Sequence, residues 1–468
     1  MKVAVIGSGI SGLAAAHTLL REGKGRVCVT LYEAADYFGG HTHTVDVTLP
    51  GPAGPVTHGV DTGFLVFNQR TYPGLIALFD ELGVDTSPSE MSFSVQVKDQ
   101  NASRALEWSG TSLSSVFAQR RNLLSWRFIR MLRDLNRFNQ LCTCLANSGT
   151  DAQQRQPLGE FLNSHGFSQE FREWYFLPMV ACIWSCPTEQ MLQFPVATLI
   201  RFCHNHGLLQ VRDRPQWWTV TGGARHYVDK ITAQIADKRL NTPVLAVERA
   251  PLWETGRVRV TTKNGAEYFD KLIFAVHPQQ ALALLQAPSP LEVRTLGAIR
   301  YHANRAVLHT DESVLPSRRT AWAAWNYERA VATAGGARQE EGVSQGGPAR
   351  DVCLHYLINK LQPLPWQQSV IVSLNPLRDI PAEKTLGEFA YSHPVFDAPA
   401  LKAQRQMPWL QGRQGTFYCG AWCGYGFHED GLKAGVAAAH GVLGRAMNQQ
   451  QDQEREQQPE PELARKLA

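Results

Sequence analysis

The chain has 468 residues, 44% hydrophobic and 19% charged, ordinary values for a globular enzyme and enough length for two domains. A formal net charge of +4 over this length does not point to nucleic acid, and no run reaches the ~18 uninterrupted apolar residues of a bilayer span. Nine scattered cysteines contain no zinc-type C-x-x-C pairs, and their odd number without a secretory signal fits reduced thiols in a cytoplasm.

Val3 to Ile6 reads as a short buried strand, followed by the turn Gly7-Ser8-Gly9-Ile10-Ser11-Gly12 and a helix over Leu13 to Arg21. Glycines at 7, 9 and 12 would break a secretory apolar helix, so the stretch is read as folded structure. In a strand, turn and helix of this kind, Gly7 allows the tight turn and Gly9 lets a pyrophosphate approach the backbone. Gly12 lets the helix pack on the strand. The helix start supplies unpaired N–H groups and partial positive charge for phosphates. A second strand, Val27 to Tyr32, ends on Glu33, about twenty residues past the last glycine, where a carboxylate accepts from ribose hydroxyls and repels a 2′-phosphate. NADP is thereby disfavoured.

The next landmark is Phe38-Gly39-Gly40-His41, a glycine pair that lets the chain pass closely beneath an extended cofactor. Here the sequence resembles the flavin-containing amine oxidase superfamily, which includes protoporphyrinogen oxidase and phytoene desaturases, although relatives usually carry Arg where this chain has His41. The resemblance continues at Val60-Asp61-Thr62-Gly63, at Thr221-Gly222-Gly223-Ala224 with a helix over Arg225 to Ala236, and at the strand Asn241 to Val247, whose Val244 is expected at the adenine. It extends through Asp270 to Pro278, the strand Thr416 to Trp422 with Gly420, and the small-residue helix opened by Gly424 to Gly431 and carrying Leu432. The resemblance implies FAD, contacted at Gly7, Gly9, Ser11, Gly12, Glu33, Gly39, Gly40, His41, Gly63, Val244, Gly420, Gly431 and Leu432. Many relatives have an acidic residue where this chain has Ala421.

The expected fold is α/β: a discontinuous Rossmann-like FAD-binding domain from residues 1–75, 215–288 and 412–447, with a mixed α+β substrate domain from 76–214 and 289–411. Residues 331–350 read as an exposed loop and 448–468 as a disordered Gln/Glu-rich tail. Within the substrate part, Arg120 to Cys142 reads as one amphipathic helix with arginines at 120, 121, 127, 130, 133 and 137 against a single acid, Asp134. It is either a packing helix with a solvated basic face or a surface meeting anionic lipid head groups at the inner face of the membrane. The aromatics of Phe171 to Pro178, Trp184 and Trp217-Trp218 suit either a core or the wall of an apolar pocket.

No Ser/His/Asp set or metal constellation appears. His428 and Glu429, at the start of the last helix, are the polar candidates beside the flavin ring, and Asn304 aligns with the lysine that holds water near N5 in amine-oxidase relatives. Asn359 and Lys360 are secondary pocket candidates. A bacterial branch of the superfamily, some members of which are associated with desaturation of methyl-branched fatty acyl chains, resembles residues 59–68, 356–364 and 424–435. Three functions therefore stand. The first is an FAD-dependent dehydrogenase or desaturase on an apolar acyl-lipid substrate, its electron acceptor unidentified; the second is an amine oxidase releasing peroxide. The third is a non-enzymatic lipid binder on the same fold.

Overall fold

The computed structural model describes residues 1–98, 105–148, 156–184, 191–196, 199–200, 203, 215–249, 258–330 and 353–444. The N-terminal apolar run forms the strand Lys2–Ile6, with Val3, Ala4 and Val5 wholly buried. It is the middle member of a five-stranded sheet in the spatial order 237–239, 28–32, 2–6, 271–274 and 416–418. All four pairings are parallel. A parallel sheet is covered on both faces, which is why these strands read as continuous apolar runs and not as alternation.

Helix α1, Ile10–Gly23, follows the first strand directly and begins three residues before the expected Leu13, because Gly9 is its N-cap and its carbonyl already accepts from Leu13 N–H at 3.0 Å. Helix α2, Pro73–Leu82, takes the rigid φ of proline at its first position. The Arg-rich stretch is not one helix. Residues 120–124 form a 3-10 turn, Ser125 is extended, and helix α3 runs from Trp126 to Ser148. Ser125 acts as the cap, its carbonyl accepting from Ile129 N–H at 3.0 Å and its hydroxyl from Phe128 N–H at 3.4 Å. Helix α4, His428–Val442, lies along α1, and a Cβ at Gly435 would stand 2.1 Å from the Ser11 carbonyl oxygen. Small residues are the condition for that approach.

A second, seven-stranded sheet has the order 385–394, 301–309, 371–374, 353–357, 325–330, 93–98 and 106–109, antiparallel except where 325–330 meets 93–98. One apolar core joins the two sheets, running from Leu13 and Ile273 to Leu354 and Val372. A separate aromatic core holds the helical insert, with Phe138 of α3 packed 4.7 Å from Phe176, ring centre to ring centre. The fold is thus α/β with a mixed second layer. The expected loop 331–350 and tail 448–468 lie outside the described residues.

Candidate functional site

The glycine turn divides its labour among three positions. Gly7 has φ +99 and a Cβ there would lie 2.5 Å from the Ala275 carbonyl oxygen; a Cβ at Gly12 would lie 1.9 Å from the Gly7 carbonyl oxygen. Both are compelled by backbone packing. A Cβ at Gly9 would meet nothing within 4 Å, because Gly9 faces a cavity. Glu33 is fixed over the same turn: its carboxylate accepts from Ser8 N–H at 2.9 Å, Ser8 Oγ at 2.5 Å and Ala35 N–H at 3.0 Å. A carboxylate has about four acceptor positions, so hydroxyls of a ligand can still be bound.

The cavity has a volume of about 1440 Å³, above the roughly 300–1,000 Å³ of a site for one small molecule. One end is walled by Gly7, Gly9, Ser11, Glu33 and Val244, and its middle by Gly39, Gly40, His41, Gly63, Gly420 and His428. Gly63 has to be glycine, since a Cβ would stand 2.2 Å from the His41 carbonyl oxygen. His41 is half-buried, its Nε2 atom is buried without a partner, and desolvation holds its pKa below the ordinary imidazole range. An orphaned ring nitrogen on a cavity wall calls for a polar ligand. The far end is apolar and aromatic, with Met91, Trp108, Leu132, Tyr175, Met179, Trp325 and Tyr356.

The structure places several expected positions away from the cavity wall. Glu429 does not line the cavity: its carboxylate accepts from Gly74 N–H and Leu75 N–H, both at 2.9 Å, and so caps α2. Asn304 also lies behind the wall, donating to His393 Nδ1 at 2.9 Å and to the His302 carbonyl at 3.3 Å while accepting from Asn375 at 2.7 Å. Gly431 and Leu432 are not on the wall either. The Gly431 N–H donates to the Phe427 carbonyl, and a Cβ on it would press within 2.7 Å of Ile10, so this pair packs α4 against its neighbours. Gly12 likewise serves packing. Asn359 ties its own loop through Gln368 and Val370, and Lys360 pairs with Glu90 at 2.9 Å. His428 does line the cavity, yet its Nε2 is 2.6 Å from the Tyr227 hydroxyl and its ring stacks on Phe64 at 3.8 Å. Burial pushes its pKa down to about 3, so it is a neutral, clamped ring.

The wall also contains residues not expected from the sequence. Tyr391 and His393 alternate along the strand Thr385–Pro394 and face His41, with ring centres 5.1 and 5.4 Å from it. Burial holds His393 at about 3 and His277, stacked on Tyr301 at 4.0 Å, at about 4. Because Asn304 donates to Nδ1, the neutral His393 ring carries its hydrogen on Nε2. The period-two spacing of Tyr391 and His393 is visible in the sequence; which face of the strand meets the cavity is set by its pairing with 301–309.

A parallel sheet with a glycine turn, an acid at the end of the second strand and a helix start on the opposite wall defines a dinucleotide-type flavin fold. Residues 10–334 match the family of flavin containing amine oxidoreductases, and the chain belongs to that family. FAD is its cofactor, and the open face of Gly9, the held carboxylate of Glu33 and the orphaned His41 nitrogen fit that group. Over 297 residues the chain is 25% identical to a Mycobacterium tuberculosis protein provisionally named flavin-containing monoamine oxidase AofH, covering 63% of this chain. The chain spans 61% of the length of that relative. Among solved structures, cyclohexylamine oxidase from Brevibacterium oxydans IH-35A has a TM-score of 0.62 at 17% identity, covering 95% of this chain and 98% of its own. A CLA-producing fatty acid isomerase from P. acnes has a TM-score of 0.60 at 16% identity, covering 93% and 96%. At those identities the likeness is one of fold.

Proposed function

We propose that the protein is an FAD-dependent oxidoreductase that removes hydrogen from a carbon centre of an apolar acyl-lipid substrate and leaves a new double bond. The observation that carries this reading is the ionic character of the cavity wall. Among the described residues, Glu33 and Glu90 are its only carboxylates and no lysine or arginine lines it. Glu33 lies at the glycine turn, and Glu90 is paired with Lys360. An ammonium substrate lacks an unpaired carboxylate to hold it, and a free fatty acid lacks a cation. A neutral acyl chain needs neither, because burial at about 0.8 kcal/mol per CH₂ supplies its binding.

FAD, when bound, accepts a hydride from the substrate. The balanced change in the substrate is cleavage of one C–H bond as hydride, loss of a proton from the adjacent carbon to water, and formation of a C=C bond between the two. The chain's own residues align the acyl chain between Tyr175, Trp325 and Tyr356 and present neutral rings in place of charged groups. The rival reading, an amine oxidase, draws on the family and on the likeness to AofH. Anaerobic mixing separates the two. Methyl-branched or unsaturated acyl lipids should bleach the flavin absorbance, and primary amines and polyamines should leave it unchanged; the opposite pattern establishes the amine oxidase.

A further inference from the structure

Ten large hydrophobic side chains are exposed among the described residues, and four of them, Leu113, Leu123, Leu124 and Trp126, fall within fourteen consecutive positions. Leu113 is 81% and Leu124 93% exposed, extremes for leucine, while Trp126 stands at 64%. Scattered single exposures need no explanation; a cluster of this kind marks a contact surface. The same segment carries Arg120, Arg121, Arg127, Arg130 and Arg133, all exposed, and from residue 113 to 148 the only acid is Asp134, which is buried, accepting from Ser168 N–H at 2.9 Å and pairing with Arg137 at 3.4 Å. Arg127 is held by Glu170 at 2.6 Å and the Arg133 guanidinium lies over the Trp126 ring. Arg121 donates to the Ala105 carbonyl at 2.7 Å, and Arg120 and Arg130 are exposed in the same segment as the leucines.

Position in the fold gives this surface its meaning. Trp126, Arg130, Arg133 and Arg137 follow one another at helical spacing along the outer side of α3, whereas Leu132, Leu135 and Asn139 of the same helix line the cavity. The cavity wall also includes Gly110 and Thr111, which are exposed, so it reaches the surface just before the Leu113–Val116 turn. Exposed arginines, exposed leucines and an exposed tryptophan therefore occupy the twenty-odd residues that follow this opening of the cavity.

We propose that the segment from Leu113 to Arg133 is a docking surface for an anionic phospholipid bilayer. Its leucines and Trp126 enter the boundary between head groups and acyl chains, its arginines pair with lipid phosphates, and the opening at Gly110 and Thr111 comes to rest against the acyl layer. This is a peripheral attachment, for no helix among the described residues is long and apolar enough to cross a membrane. The inference stands on the surface and is independent of the redox reading of the cavity.

The test is co-sedimentation of the full-length, FAD-loaded protein with vesicles of phosphatidylglycerol and phosphatidylcholine in equal parts. The proposal expects binding at low salt, at least tenfold weaker binding at 0.5 M salt, and little on pure phosphatidylcholine. The double variant Leu113→Ser, Leu124→Ser and, separately, Arg120→Glu with Arg130→Glu should each lower binding at least tenfold at unchanged flavin content and melting temperature. Absence of wild-type binding, or variants that bind like wild type, overturns it. So does sedimentation equilibrium showing a dimer of the free protein that the leucine variants dissociate, since the surface would then belong to a second copy of the chain.

Discussion

Gly9 and Gly12 stand three residues apart in one turn and answer to different constraints. Gly12 is compelled by the Gly7 carbonyl, so Gly12→Ala should damage the protein whether or not cofactor is present, at a cost in the usual overpacking range of about 1–3 kcal/mol. Gly9 has an ordinary φ of −62 and open space around its missing Cβ. Gly9→Val should therefore leave the urea midpoint of the apoprotein near wild type and abolish retention of FAD through gel filtration. A yellow Gly9→Val protein would show that the pyrophosphate lies elsewhere. The contrast explains why this part of the site was legible: the demands on a glycine turn are local, and they are written into consecutive residues.

At the scale of elements, α4 performs two tasks that its sequence does not distinguish. Its first residue, His428, faces the cavity, while the next side chain, Glu429, turns the other way to satisfy the free N–H groups of α2. Glu429→Gln should then lower thermal stability, by about 1–2 kcal/mol as for loss of a helix cap, and leave the flavin spectrum and turnover of the folded enzyme close to wild type. A variant with unchanged melting temperature and lost turnover would return Glu429 to the chemistry. Two adjacent polar residues at a helix start look alike in a sequence, because their direction depends on which helix packs on which side. Asn304 is harder still: it reaches the site through His393, its partner across strands eighty-nine residues apart. Tyr391 and His393 are hidden in the sequence for the same reason, and Ser125 interrupts an otherwise convincing helical periodicity with a single capping hydroxyl.

Across the whole molecule, the cavity sets a pH dependence. His277, His393 and His428 are held neutral, at about 4, 3 and 3, by burial, against an ordinary value near 6.5. Below that ordinary value the unfolded chain takes up protons that the folded one refuses, so stability is fully present above about pH 6.5 and is lost as pH falls toward 3. The slope is at most about 1.4 kcal/mol per pH unit for each ring. Between pH 7 and pH 5 this loss is opposed by Asp61 and Asp430, whose burial raises their pKa to about 7 and so adds stability as they protonate. The His393→Asn variant should lose less stability over that interval than wild type by urea midpoint, and an equal change in the two proteins would show that His393 protonates freely in the native state.

The strand order of the parallel sheet bears on how the protein is made. Its middle strand, Lys2–Ile6, is synthesised first, but the neighbour on one side, Lys271–Phe274, follows some 265 positions later, and Thr416–Tyr418 and α4 later again. At roughly 5–20 residues per second a ribosome needs on the order of tens of seconds to supply them. During that interval the nascent chain displays its glycine turn without the opposing wall of Gly420 and His428. Retention of the flavin therefore requires that the strand Thr416–Tyr418 and α4 have joined the sheet begun by Lys2–Ile6.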